Sequence, residues 1–140
     1  MKNFKKSFAS LFMFSALLQA AQVPADLKSE QFSGSDLAPC PAVICAAPTG
    51  EVYVGVDLQG SLGKMAHQGK IVRLIDTNGD GKADQHSDYA TIDNPRGLIS
   101  IGDKLYVLHC TLRDGKPYGQ QVSVYTDADH DGVADGAPKA

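Results

Sequence analysis

Tryptophan is absent from the sequence and cysteine is scarce, and both features narrow the chemistry that the chain can support. The three cysteines form neither a CxxC pair nor a CxxCH motif, which excludes a thioredoxin-like redox site and a covalent c-type haem site. The sequence has neither tryptophan nor a basic patch, so it gives no support for nucleic-acid binding. Beyond the first 21 residues, no segment is long or apolar enough to span a membrane.

The cysteines are Cys40, Cys45 and Cys110, an odd number. Cys40 and Cys45 could form a disulfide if the chain turns between them. Residues 43–46 instead have the pattern of a buried strand, and a straight strand would hold the two sulfur atoms too far apart. The sequence leaves both alternatives open.

Residues 1–21 have the order of a secretory signal peptide. Lys2, Lys5 and Lys6 precede an apolar run over residues 8–18, and small residues follow at Ala20 and Ala21. The alternative is a retained membrane anchor, but the run is short and is interrupted by polar residues. We expect cleavage near Ala20 or Ala21, a secreted or periplasmic protein, and membrane contact only through the cleaved signal. Loss of the three lysines leaves ten Lys and Arg against sixteen Asp and Glu, a formal charge of −6.

The stretch over residues 22–38 is polar, lacks sustained periodicity and is predicted to be a linker. The folded part is then residues 39–140, which is long enough for one small core. This part contains an internal repeat. Residues 50–57 parallel residues 102–109, with Tyr53 matching Tyr106, and residues 70–76 parallel residues 121–127, with Asp76 matching Asp127. Self-similarity at a period of about 50 residues is typical of β-propeller blades.

Each repeat has the composition of β structure. Runs of β-branched and aromatic residues alternate with Gly and Asp turns, and no segment after the signal has helical periodicity. We predict strands over residues 42–47, 52–56, 71–75 and 89–92 in the first repeat and over residues 97–101, 105–108 and 122–126 in the second. The predicted fold is all-β, an incomplete β-propeller of about two four-stranded blades, since a closed ring needs at least about four. A self-contained small β-sandwich is the alternative.

An Asp-rich loop follows the third strand of each repeat. Oxygen side chains at loop positions 1, 3, 5 and 9 and a Gly at position 6 match the spacing of calcium loops. The predicted ligands include the backbone carbonyls of Lys82 and Val133 and these side chains: Asp76, Asn78, Asp80 and Asp84 in the first loop, and Asp127, Asp129, Asp131 and Asp135 in the second.

These loops differ from an EF-hand in two respects. Position 12 is Ser87 in the first loop and Pro138 in the second instead of a bidentate Glu, and strands rather than helices flank both loops. Hard oxygen ligands favour calcium over zinc or copper. We therefore predict structural calcium sites. The alternative is that Asp, Asn and Gly are present only as common turn residues.

The sequence also resembles a known family. Residues 50–54, residues 69–74, the first Asp loop, Asn94-Pro95-Arg96-Gly97-Leu98 and the second Asp loop resemble glucose/sorbosone dehydrogenase-like β-propellers. In particular they resemble the secreted, haem-domain-linked "membrane-bound dehydrogenase"-type proteins of planctomycetes and verrucomicrobia. The resemblance implies quinoprotein oxidation of a sugar, polysaccharide or alcohol substrate with pyrroloquinoline quinone and a haem electron acceptor. In longer relatives it also implies further blades and a cytochrome c domain as partners.

No catalytic residue is assigned from the resemblance, because most of the ring is absent from this sequence. His109 is a candidate base for removing a hydroxyl proton, and Arg96 a candidate for polarising a quinone oxygen. Their alternatives are a strand-end side chain beside Cys110 and a structural donor to loop carbonyls. We expect the chain itself to be inactive in oxidation. The rival function is a non-catalytic, calcium-dependent propeller serving as an adhesion or binding module.

Overall fold

The computed structural model describes residues 24–59, 65–136 and 138–139. The predicted signal peptide, residues 1–21, lies outside this part of the chain. Regular secondary structure within it consists of strands alone, as predicted. No helix among the described residues is long and apolar enough to cross a membrane.

Seven strands in the described part of the chain form two open antiparallel sheets. The first sheet has the order β1-β2-β3-β4 and the second the order β5-β6-β7. Their bounds are β1 Pro41–Ala46, β2 Val52–Asp57, β3 Gly69–Ile75, β4 Gln85–Thr91, β5 Pro95–Ile101, β6 Lys104–Arg113 and β7 Lys116–Thr126. The prediction of an all-β fold is confirmed, and each predicted repeat corresponds to one sheet.

The pairing registers reproduce the repeat. Tyr53 on β2 lies opposite Arg73 on β3, and its counterpart Tyr106 on β6 lies opposite Val124 on β7. Val124 also forms an isolated bridge with Lys139, on the side of β7 where β4 would lie in the first sheet. Lys139 therefore pairs with the second sheet through a single bridge, at the edge where β4 lies in the first sheet.

Three strands exceed their predicted length by three residues or more, and β2, β3 and β5 exceed theirs by one or two. β4 starts at Gln85 instead of residue 89, because Asp84 already returns to the sheet by donating its N–H to the Ile75 carbonyl at 2.9 Å. β6 and β7 run on to a hairpin at Asp114 and Gly115, with φ of 54° and 71°. Two consecutive positive φ values suit the twist of a two-residue hairpin, so this turn extends both strands beyond their apolar runs.

The main core lies between the two sheets. It combines Tyr53, Ile71 and Tyr89 of the first sheet with buried residues of the second, which are Leu98, Leu105, Val107 and Tyr125. Tyr89 meets Tyr53 edge to face with ring centroids 5.0 Å apart, and Tyr125 at 6.4 Å. Such edge-to-face pairs stabilise a core beyond the area that they bury.

A second core covers the opposite face of the first sheet. Val54, Val56, Val72 and Leu74 are buried there beneath residues 32–38, here called the cap segment. The cap segment lies within the predicted linker and forms no strand, and its residues Phe32, Leu37 and Ala38 pack on the sheet. The cap segment lies on the sheet because these apolar side chains are buried there. The sequence pattern did not reveal them because they have no regular spacing.

Among the described residues, none packs over the opposite face of the second sheet. Apolar side chains alternate with the buried ones along each of its strands, and several are largely exposed. This open face consists of Ile99, Ile101, Tyr106, Leu108, Val122 and Val124. Within the part of the chain that the structure describes, the first sheet is thus packed on both faces and the second on only one.

The three cysteines form no disulfide. Cys40 is exposed with φ of 47°, and Cys45 and Cys110 are partly buried. Burial raises the pKa of the Cys45 thiol, which keeps it protonated. Of the two alternatives left open by the sequence, the structure has the free thiols.

Candidate metal centres

Each Asp-rich loop leaves the third strand of its repeat. The first loop, residues 76–84, connects β3 to β4, and the second, residues 127–135, follows β7. Gly81 and Gly132 at position 6 have φ of 85° and 87°. Only glycine adopts such angles without steric cost, and this explains the Gly at that position.

In the first loop the carboxylate of Asp76 organises the backbone. Its Oδ1 accepts N–H bonds from Gly79 at 2.7 Å and Asp80 at 3.3 Å, and its Oδ2 accepts one from Gly81 at 2.8 Å. These backbone donors, that of Gly81 foremost, hold the pKa of Asp76 below its usual range. The carboxylate therefore stays ionised, which is the form that binds a cation.

The second loop repeats this arrangement 51 residues later. Asp127 Oδ1 accepts from the Asp131 N–H at 3.1 Å, and Oδ2 from the Gly132 N–H at 3.0 Å. Asp131 Oδ1 then accepts from the Val133 N–H at 2.8 Å, as Asp80 Oδ1 does from Lys82 at 2.9 Å. The two loops therefore share one backbone conformation as well as one sequence pattern.

The side chains at loop positions 3 and 9 accept hydrogen bonds from different parts of the loop. Asn78 Oδ1 and Asp129 Oδ1 accept the N–H of Asp80 and Asp131 at 2.9 and 3.3 Å. The ninth residues lie at the neck of each loop. Asp84 accepts from the Thr77 N–H at 3.2 Å and from its hydroxyl, and Asp135 accepts from the Ala128 N–H at 2.6 Å.

Three of the predicted ligands come together in the second loop. One carboxylate oxygen each from Asp127, Asp129 and Asp131 lies within 4.8 Å of the other two. In the first loop Asn78 takes the place of Asp129, so two carboxylates and one amide oxygen stand at these positions. Three oxygen atoms at such separations can surround a divalent cation, because calcium takes oxygen ligands at about 2.3–2.6 Å. Lys82 and Val133, predicted to offer carbonyls, lie just after the bend.

The second loop is built into the contact between the sheets. The Ser87 hydroxyl on β4 donates to the Gly132 carbonyl at 2.5 Å, and the Ala134 N–H donates to the Tyr89 carbonyl at 2.8 Å. The corresponding donor in the first loop, the Ala83 N–H, bonds the Phe32 carbonyl of the cap segment at 2.8 Å. The cap segment therefore occupies, beside the first loop, the place that β4 occupies beside the second.

Sequence reasoning missed Ser87 and a nearby ion pair. Arg73 Nη2 donates to Glu51 Oε1 at 2.8 Å, and both side chains are largely buried. Burial lowers the pKa of Arg73, but the bond to Glu51 outweighs it and the net direction is upward. With Asp127 these residues border a cavity of about 180 Å³ between the sheets. The sequence does mark Ser87 in one way, because it stands at position 12 of the first loop, where an EF-hand has a cation-binding Glu. In the structure its hydroxyl bonds the second loop instead.

The two catalytic candidates are both bound to protein groups. Arg96 Nη2 donates to the buried Asp57 Oδ2 at 2.8 Å, and its Nη1 donates to the Pro95 carbonyl at 2.9 Å. His109 Nε2 lies 2.9 Å from the hydroxyl of Ser123, which is fully buried. His109 was predicted at a strand end but lies in the middle of β6, because the β6–β7 hairpin is longer than its apolar core.

Burial lowers the pKa of His109, so the ring is neutral near pH 7. A neutral ring has the protonation state of a base, but its Nε2 already faces an inaccessible hydroxyl. Arg96 is likewise occupied by Asp57. In this structure both candidate side chains therefore have protein partners.

No protein-family model, curated protein or solved structure matches this chain.

Proposed function

We propose that the chain is an exported, secreted or periplasmic β-propeller segment whose two Asp-rich loops bind calcium and thereby fix the ends of its blades. The observation that carries the proposal is the recurrence of one loop conformation at a spacing of 51 residues, with three carboxylate oxygens of Asp127, Asp129 and Asp131 within 4.8 Å of one another. Mutual repulsion of ionised carboxylates at this distance is unfavourable until a cation neutralises it.

The role of the cation is structural in this proposal. Each loop leaves a sheet directly and returns to it through the N–H of Asp84 or Asp135. No helix pair flanks either loop among the described residues, so the opening motion of an EF-hand sensor has no counterpart here. Without a bidentate Glu at position 12, we expect modest affinity.

Propeller stacking is favoured over a two-sheet sandwich by the burial of β2. A sandwich covers one face of each sheet, whereas Tyr53 and Val54, neighbours that point to opposite faces, are both buried. The first sheet is thus a middle layer, as a blade between two others would be. The contact between its Tyr53 face and the second sheet is the one that further blades would repeat.

Sugar or alcohol oxidation with pyrroloquinoline quinone and haem remains what the family resemblance implies for longer relatives. The engagement of Arg96 by Asp57 and of His109 by Ser123 favours the rival function for this chain, a non-catalytic, calcium-dependent binding module. The two functions share the cation loops, and they differ in whether further blades complete an axial cofactor site.

Calorimetric titration with calcium tests the proposal. We expect two sites per chain, and Asp127→Asn together with Asp131→Asn should remove one of them and leave the other. Asp103→Asn, in the β5–β6 turn outside both loops, is the matched control and should retain two sites. Titration heats equal to dilution, for a chain shown to be folded by circular dichroism, would overturn the proposal.

A further inference from the structure

The open face of the second sheet has a buried counterpart inside the molecule. Val122 is 50% exposed, whereas Ile71, at the same place in the first repeat, is 0% exposed. Tyr106 corresponds to the buried Tyr53, and Ile99, which lies opposite Tyr106, corresponds to Cys45, which lies opposite Tyr53. Ile99 is 59% exposed, while Cys45 packs against the core between the sheets. Equivalent positions are thus covered in one sheet and bare in the other.

The first sheet has the complementary feature on its opposite face. Ile44 on β1 lies opposite Val54 and is 66% exposed. Its counterpart Leu98 on β5 lies opposite Val107 and is only 7% exposed, because it packs against the first sheet. Ile44 therefore stands where an incoming sheet would bury it.

Within the chain, the Tyr53 face of the first sheet packs against the Leu98 face of the second. The open face is equivalent to the Tyr53 face, and the face that carries Ile44 is equivalent to the Leu98 face. On the basis of the stacked-sheet arrangement proposed above, we propose that a second copy of this chain binds head to tail. The open face of one copy, with Ile99 and Val122, packs on the Ile44 face of the next.

The cap segment covers only part of the Ile44 face. An apolar cavity of about 520 Å³ remains beside it, lined by Phe32, Ala38, Ile44, Val54 and Leu74 among others. The cap segment contributes no strand, and it bonds the Asp loop through the Phe32 carbonyl. A sheet face bearing Ile99 and Val122 fills this space with apolar side chains and gains the burial that the cap segment leaves unused.

Sedimentation velocity over a range of protein concentrations tests the proposal, with the chain purified after expression from its own N-terminus and its mass determined. We expect the wild type to self-associate. Ile99→Lys and Ile44→Lys should each weaken association by about 30-fold or more, the factor that matches the ~2 kcal/mol of an interface hot spot. Leu58→Lys, at a leucine that is 50% exposed in the loop after β2, is the control and should associate like the wild type.

Mixing the two variants identifies the geometry. A head-to-tail contact uses different faces of the two copies, so Ile99→Lys mixed with Ile44→Lys should give a 1:1 dimer that neither variant forms alone. A twofold contact between two open faces would instead leave Ile44→Lys associating normally, and that result would overturn the proposal. A wild type that stays monomeric at every concentration would do the same. Calcium titration of the monomer stands apart from these outcomes, so failure of association leaves the cation sites separately testable.

Discussion

Gly81 and Gly132 occupy the same bend of two loops, yet their surroundings differ. Their φ values are 85° and 87°. A Cβ atom at Gly81 would meet nothing within 4 Å, whereas at Gly132 it would lie 2.9 Å from Arg73 Nη1 and 3.0 Å from Ser87 Oγ. The same backbone geometry is therefore solvent-facing in the first loop and enclosed by the first sheet in the second.

Alanine substitution should separate backbone strain from crowding at these two glycines. We expect Gly81→Ala to destabilise the chain by about 1–2 kcal/mol, the cost of a left-handed residue with a Cβ. Gly132→Ala should cost more, because Arg73 is held by Glu51 and cannot move away freely. Urea unfolding of the two variants measures the difference in the free energy of unfolding. Equal losses would show that the second loop is not seated against the first sheet.

The hydrogen bond from Ser87 to Gly132 links β4 to the second loop. Ser87→Ala leaves the Gly132 carbonyl without this donor, and we expect a loss of about 1 kcal/mol in the free energy of unfolding. His86→Ala, at the adjacent exposed position of β4, should change it by less than about 0.5 kcal/mol. Indistinguishable values for the two variants would contradict the contact.

The repeat offers a matched pair for the core. Ile71→Ala should destabilise the chain by about 2–5 kcal/mol, since Ile71 is fully buried between the sheets. Val122→Ala, at the equivalent but exposed place, should cost no more than about 0.5 kcal/mol when measured in dilute solution, where the chain is monomeric. Chemical denaturation of both variants is the measurement. A large loss at Val122 in a monomer would mean that the open face is covered within the chain.

His109 makes stability depend on pH in a defined direction. Burial lowers its pKa below the ordinary value of 6.5, so the unfolded chain binds the proton more readily than the folded chain. Its stabilising contribution is complete above about pH 6.5 and is lost as the pH falls through the folded-state pKa. His109→Gln should therefore show a smaller fall in the free energy of unfolding below pH 6.5. Parallel pH profiles for the variant and the wild type would exclude a buried, neutral His109.

The sequence predicts the strands best where a repeat supports them. The alternating apolar residues around Tyr53 and Tyr106 predict the central strands of both repeats, and the spacing of the Asp residues predicts both loops. The sequence does not predict the cap segment, because its apolar residues Phe32 and Ala38 lack periodicity and are buried only through contact with the first sheet. The hairpin at Asp114 was also underestimated, since the ends of β6 and β7 are polar and their pairing is set by the turn.

In the candidate metal sites, too, the local sequence predicts some features, while others depend on how distant residues pack. Loop positions 1, 3 and 5 follow from spacing, because consecutive backbone N–H groups bind Asp76 and Asp127 within a few residues. The bond from Ser87 to the second loop depends on how two sheets pack, and no local pattern encodes it. The engagement of Arg96 by Asp57 is likewise a contact between residues far apart in sequence.

We propose that both loops hold calcium and that this calcium stabilises the fold. The most direct test of this proposal is the thermal unfolding midpoint with and without millimolar calcium. We expect calcium to raise the midpoint by roughly 4–8 °C for each 1 kcal/mol by which its binding stabilises the folded chain. Asp80→Ala combined with Asp131→Ala should abolish the rise, while Asp103→Ala retains it. A wild-type midpoint that calcium leaves unchanged would contradict the account.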